Sequence, residues 1–205
     1  MNQESDTQRS EGTAVLLLEY IYGSLFRPVP TMQRLAHDQP LGLAVLVQVS
    51  LAILSMGLTV VGSTFLGGLA SPALLVAGSL LAVISSLMIW VTVTGVLQML
   101  AEVLGGKGTG LLAVTGFAQL PFVFSPVAAV LGRAAGAGLD VALSLVLSLW
   151  VAMLYILAVR ETHGLSTARA LGTFALGATA LFALLFALIF VVIALWQSLA
   201  DTFSM

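Results

Sequence analysis

The sequence predicts an all-α, polytopic membrane protein: a bundle of five transmembrane helices preceded by a short amphipathic helix. Three observations carry this. Four stretches, 41–101, 111–132, 141–159 and 170–200, contain no Asp, Glu, Lys, Arg or His. The 205-residue chain is 60% hydrophobic and 8% charged, with a mean hydropathy of +1.11; an ordinary soluble domain is roughly 25% charged. The few cations are also distributed unevenly among the connections between the apolar stretches. A bilayer asks for about 20 apolar residues per spanning helix, and these stretches supply them.

Residues 1–12 are polar and acidic and are expected to form a disordered tail. They lack the basic start of a secretory signal, and no small-residue cleavage site follows them. Residues 13–40 are expected to form an interfacial segment. Leu18, Ile21, Tyr22, Leu25 and Phe26 recur at helical spacing on one face, with Glu19 and Arg27 at its margins. Such a helix is too short to span, lies at the membrane surface, and is also compatible with packing on the end of the bundle. Pro28 and Pro30 stop it, and Thr31 is expected to cap a brief helix through Leu35 and Ala36.

Residues 41–200 form the transmembrane domain. Gly67, Gly68, Ser71 and Pro72 divide the first long stretch into spans at about 41–66 and 72–101. The remaining spans fall at about 109–133, 139–159 and 166–197. Gly164 suits a left-handed helix end, Ser166 or Thr167 an N-cap, and Trp196 an interfacial anchor. If the helices alternate, Arg9, Arg27, Arg34, Lys107, Arg160 and Arg169 share one side, with Arg133 alone on the other. This asymmetry predicts a cytoplasmic amino terminus and a carboxyl terminus on the opposite side.

The composition is poor in catalytic chemistry. There are no cysteines, and His37 and His163 are the only histidines, each in a loop-like context. No catalytic residue, cofactor or metal ligand set is expected. The net charge of −2 gives no basis for nucleic acid binding. Glu102 and Asp140 stand at helix ends, leaving no ionisable group at mid-membrane depth. The hydroxyls of Ser50, Ser55, Ser85, Ser86, Ser144 and Ser148 fit close packing or back-bonding to their helices. Gly105-Gly106-Lys107-Gly108-Thr109 misses the Walker A spacing, because Ala101 takes the place of the first glycine and Gly108 follows the lysine. It reads as a tight turn carrying one cation.

Two features invite a structural role. Pro121 and Pro126 remove backbone donors from the third span and break it. Gln119, Gln98 and Gln48 are the candidate partners for the freed carbonyls, and Gln119, Pro121 and Pro126 the candidate pathway residues if a solute passes there. Gly132 and Gly136 form a Gly-x-x-x-Gly pair near a loop, while Gly172, Ala175 and Thr179 form a small-residue stripe on the fifth span, a candidate packing or dimer surface.

The order of landmarks resembles the Yip domain family of Ypt/Rab-interacting membrane proteins, in its prokaryotic branch. The resemblance runs from about 22 to 195. It rests on Phe26-Arg27-Pro28, on Leu104-Gly105-Gly106-Lys107-Gly108, on the segment 116–121, and above all on Val159-Arg160-Glu161-Thr162-His163-Gly164-Leu165-Ser166-Thr167-Ala168-Arg169-Ala170. The resemblance implies five spans, a cytoplasmic amino terminus and a small membrane adaptor. Eukaryotic members are associated with Rab-type GTPases and with traffic between endoplasmic reticulum and Golgi. This chain has a short amino-terminal region, and Thr115-Gly116-Phe117 lacks the tyrosine-rich eukaryotic form, so Rab binding is not carried over.

The expected function is a non-enzymatic scaffold, adaptor or organiser in a prokaryotic inner membrane; the alternative is a transporter or channel for a small neutral or lipidic solute. Expected partners are the bilayer, anionic lipid headgroups, and another membrane protein or a second copy in a homo-oligomer. Candidate contact residues are Arg27, Arg34, Lys107, Arg160 and Arg169, with Leu18, Ile21 and Leu25 on the amphipathic helix.

Overall fold

A computed structural model describes residues 3–65 and 72–203. The element order is α1 (Gln3–Phe26), α2 (Pro28–Asp38), α3 (Leu41–Phe65), α4 (Pro72–Val103), α5 (Leu111–Ala118), a 3-10 turn (Leu120–Phe124), α6 (Ser125–Ala135), α7 (Ala137–His163) and α8 (Thr167–Phe203). The described residues are otherwise turns and links, with no strand among them. The turn expected around Gly67, Gly68 and Ser71 lies outside the described residues.

Four segments are long and apolar enough to cross a membrane: Val76–Val103, Leu111–Gly132, Gly138–His163 and Thr167–Gln197. α3 is apolar along Leu41–Gly57 and its backbone stays helical to Phe65. α8 is the longest element. Its 37 residues extend about 55 Å at 1.5 Å per residue, beyond the roughly 30 Å of a hydrocarbon layer.

α5 and α7 are the centre of the bundle. α7 touches α2, α4, α5, α6, α8 and the 3-10 turn, and α5 lies against α1, α2, α3, α4 and α7. Nearly all of α5 is buried, with Val114 and Phe117 fully enclosed by residues such as Met32, Trp90, Leu97 and Leu154. α3 approaches α5 closely because Gly116 has no side chain; a Cβ there would lie 2.6 Å from that of Ala44. Around this centre the outward surface is apolar. From Phe182 to Gln197 every residue of α8 is exposed, including Leu184, Phe186, Phe190 and Trp196. An aqueous protein does not show such a surface, whereas lipid tails solvate it as well as a neighbouring helix does.

Several local expectations are corrected. The tail expected to be disordered over 1–12 is helical in its backbone from Gln3. α2 begins at Pro28 rather than at a Thr31 cap. Prolines fit a first turn because its N–H groups lack helical partners anyway, and Thr31 Oγ1 donates back to the Arg27 carbonyl at 2.8 Å. α1 is not apolar on one face alone. Leu17, Tyr20, Ile21 and Leu25 turn toward the bundle, while Leu18, Tyr22 and Phe26 face outward.

The prolines break the third span as expected, into α5, the 3-10 turn and α6. Gly132 packs against Asp140 in the α6–α7 hairpin. The stripe at Gly172, Ala175 and Thr179 is not the packing seam of α8. Ala170, Thr173 and Gly177 are buried instead, and Gly177 receives a methyl group of Leu97 at 2.7 Å from where a Cβ would stand. Gly177→Leu should therefore destabilise the α4–α8 contact by about 1–3 kcal/mol, measured as a shift in reversible unfolding of the protein in mixed micelles, while Gly172→Ala leaves stability nearly unchanged.

Candidate functional site

The charged residues of the described structure concentrate at one end of the bundle. Three pieces meet there: the α1–α2 hairpin, the 104–110 loop after α4, and the turn joining α7 to α8. This is the basic end of the molecule.

α1 and α2 fold back on each other around Arg27. Arg34 pairs with Glu19, Gly23 lies against Thr31, and the Tyr20 hydroxyl donates to Asp38 Oδ2 at 2.5 Å. The Tyr20 ring also meets Phe117 edge-on, with centroids 5.6 Å apart, which ties the hairpin to α5. Burial, reinforced by the bond to Asp38 and that carboxylate's charge, pushes the Tyr20 phenol up to about 12. α2 then reaches α7, where Gln33 Nε2 donates to Glu161 Oε2 at 3.1 Å.

The α7–α8 turn forms as the sequence predicts. Gly164 adopts φ 62°, in the left-handed region, and Leu165 N–H returns to the Arg160 carbonyl at 3.1 Å. Ser166 Oγ accepts from Arg169 N–H at 3.4 Å at the start of α8. Arg160 is half-buried and pairs with Glu161, Nε to Oε1 at 2.8 Å.

The glycine loop is pressed onto this turn. Side chains at Gly106 and Gly108 would strike His163 and the Thr162 carbonyl, the latter at 1.6 Å. Gln98 Nε2 holds the loop from α4, donating to the Gly108 carbonyl at 3.1 Å and to Glu102 Oε1 at 2.7 Å. His163 is thus the last residue of α7, 5% exposed beneath the loop, and not the loop histidine expected from the sequence. Its ring nitrogens make no hydrogen bond to described protein atoms. Lys107 and Arg169 are exposed, and neither forms an ion pair among the described residues.

The structure therefore gathers Lys107, Arg160 and Arg169 at the same end as Arg34. Arg27 is exposed at the hairpin bend. Leu18 faces outward, whereas Ile21 and Leu25 pack partly on the bundle. Gln119, Pro121 and Pro126 are elsewhere, in the broken third segment. Gln119 Nε2 donates to the Tyr155 hydroxyl at 2.8 Å, Pro121 is buried and Pro126 half-buried. Of the three glutamines proposed for the freed carbonyls, only Gln48 serves that segment's backbone, donating to Gly116 O at 3.0 Å. Trp90 Nε1 donates to Thr115 Oγ1 at 3.1 Å, and Thr94 and Thr115 hydroxyls are 2.8 Å apart.

Sequence reasoning missed Gln33 and Tyr20, and it assigned Gln98 to the broken third span rather than to the glycine loop. The i, i+4 spacing of Gln98 and Glu102 was a usable signal; the contacts of Gln33 with Glu161 and Tyr20 with Asp38 had none. No group of three His, Asp or Glu side chains able to hold a metal occurs among the described residues.

The model of the Yip1 domain matches residues 22–198, from the outward face of α1 nearly to the end of α8. The chain belongs to the Yip1 domain family. It matches no curated protein and no solved structure. With its long apolar helices, this Yip1 domain chain is a membrane protein.

Two predictions follow from the geometry. Gly108→Ala should lift the 104–110 loop from Thr162, raising amide hydrogen exchange in that loop and the α7–α8 turn by an order of magnitude or more while α5 keeps its protection. A phenol raised from 10.0 to about 12 stabilises the docked hairpin fully below pH 10, and this contribution is lost as pH climbs toward 12. Absorbance titration should show Tyr20 ionising late, and Tyr20→Phe should reduce the amplitude of the late step by one tyrosine.

Proposed function

We propose that this chain is a non-enzymatic membrane scaffold or adaptor of the prokaryotic Yip branch. It crosses the inner membrane five times, with the amino terminus in the cytoplasm and the carboxyl terminus on the other side. α3 counts as the additional span, since 25 helical residues extend about 37 Å. The orientation follows from the cation asymmetry between connections.

One observation carries the adaptor reading: the hairpin, the glycine loop and the α7–α8 turn form a single charged platform at the end of an otherwise apolar bundle. Such a platform faces headgroups and water together. Its basic residues attract anionic lipid, each contributing about 1 kcal/mol near the surface. The outward Leu18, Tyr22 and Phe26 give α1 an apolar flank for the membrane or for a protein partner, including a second copy.

The solute-pathway alternative gains less. Gln119 is engaged by Tyr155, and the three interhelical grooves described are not lined by Gln119, Pro121 or Pro126.

Replacing Leu18, Ile21 and Leu25 together with serine should weaken association with anionic vesicles or a captured membrane partner by about tenfold or more, with the helical content of the core retained by circular dichroism. Unchanged association would overturn the adaptor role of the hairpin. Accessibility tags at the two ends should report from opposite faces of the membrane; tags on one face would overturn the five-span topology.

A further inference from the structure

α4 and α8 meet along the seam where Leu97 seats on Gly177, and beside that seam they leave an apolar groove of about 290 Å³. Val93 and Leu97 line it from α4, and Phe174, Ala178, Leu181 and Leu185 from α8. The groove opens outward, since Phe182 and Leu185 on its rim are exposed. Along α8 it begins about 8 Å beyond Arg169 and ends about 24 Å beyond it, at 1.5 Å per residue. That span is about the thickness of one hydrocarbon leaflet.

The basic end of this helix pair carries the matching charge. Arg169 lies in the first turn of α8, and its guanidinium is 3.8 Å from where a Cβ of Gly105 would stand, so it reaches across to the loop that follows α4. Lys107 is in the same loop. Both are exposed and without an ion pair among the described residues. The described carboxylates of this end have other donors: Glu19 has Arg34, Asp38 has Tyr20, Glu102 has Gln98 and Glu161 has Arg160 and Gln33. Two uncommitted cations therefore stand above a wholly apolar groove of one leaflet's depth.

We propose that this groove is a specific site for one anionic phospholipid, with an acyl chain between α4 and α8 and its phosphate at Lys107 and Arg169. The site rests on the membrane orientation proposed above, in which the basic end lies at the headgroups, but not on the adaptor role of the hairpin. The long cationic side chains extend to the phosphate while their stems stay on apolar surface. The occupant has an acyl chain because every lining residue named is apolar; a free phosphate would leave the groove unused.

The test is native mass spectrometry of the full chain in detergent, titrated with phosphatidylglycerol or phosphatidylcholine. The native protein should retain one phosphatidylglycerol per chain in preference to phosphatidylcholine. Lys107→Ala with Arg169→Ala, both at exposed positions, should weaken phosphatidylglycerol retention roughly thirtyfold and abolish the preference. Ala178→Trp should reduce retention of both lipids by filling the groove, and Ala178→Leu should do so to a smaller degree in a fold that is less disturbed. The Leu18, Ile21, Leu25 serine variant should retain phosphatidylglycerol normally, even where it has lost vesicle or partner association. Retention unchanged in the double alanine variant would overturn the proposal. So would loss of retention in the hairpin variant alone, or displacement of the lipid by glycerol phosphate as readily as by phosphatidylglycerol.

Discussion

Inside this bundle a polar group has to be satisfied by the protein itself, because hydrocarbon offers no hydrogen bonds. That constraint governs the broken third segment. Pro121 and Pro126 interrupt its helix, and the surrounding polar side chains converge on it. Gln48 reaches the Gly116 carbonyl, Trp90 and Thr94 reach Thr115, and Gln119 reaches Tyr155. These bonds join the segment to α3, α4 and α7, Gln48 at the segment's backbone and the others at its Thr115 and Gln119 side chains, so one interrupted segment fixes three helices around it. α5 occupies the centre for the same reason. Its Gly116 admits α3 at backbone distance, and the segment is enclosed where its irregular continuation meets protein rather than lipid.

The ends of the helices obey a different solvent. At the basic end, where charged groups and turns replace uncharged helix, the structure uses short-range devices. Gly164 closes α7, Ser166 opens α8, and Gly106 and Gly108 let a loop rest on the turn between them. The result is a platform in which Arg34 and Arg160 are tied to carboxylates while Arg27, Lys107 and Arg169 form no ion pair among the described residues. Membership of the Yip1 domain family covers both halves of this arrangement, since the matched region 22–198 includes the hairpin, the loop and the bundle.

Much of this was legible residue by residue. The uncharged stretches locate the long helices to within a few positions. Gly164 and Ser166 mark a chain reversal whose geometry is local, and Pro121 and Pro126 mark a break whose cause is a missing N–H. The run from Val159 to Ala170 carries the family resemblance. Errors arose where two solutions are locally equivalent. Thr31 has a capping side chain, yet Pro28 starts the helix earlier at no cost. His163 stands beside a glycine, as loop histidines do, yet a distant glycine loop covers it.

What the sequence by itself determined is the solvent of each segment: long uncharged helices for hydrocarbon, punctuated by caps, prolines and cations at the boundaries. What only the tertiary structure decided is which side of each helix faces protein. In water an apolar stripe identifies the buried face, but lipid accepts apolar side chains as readily as a neighbouring helix does, so a helix that is apolar all round carries no such mark. Leu97 on Gly177 rather than a seam through Gly172, and Leu17 and Tyr20 inward while Leu18 and Tyr22 face out, are choices made by shape and by scarce hydrogen bonds. Those depend on residues far apart in the chain and are settled only when the helices meet.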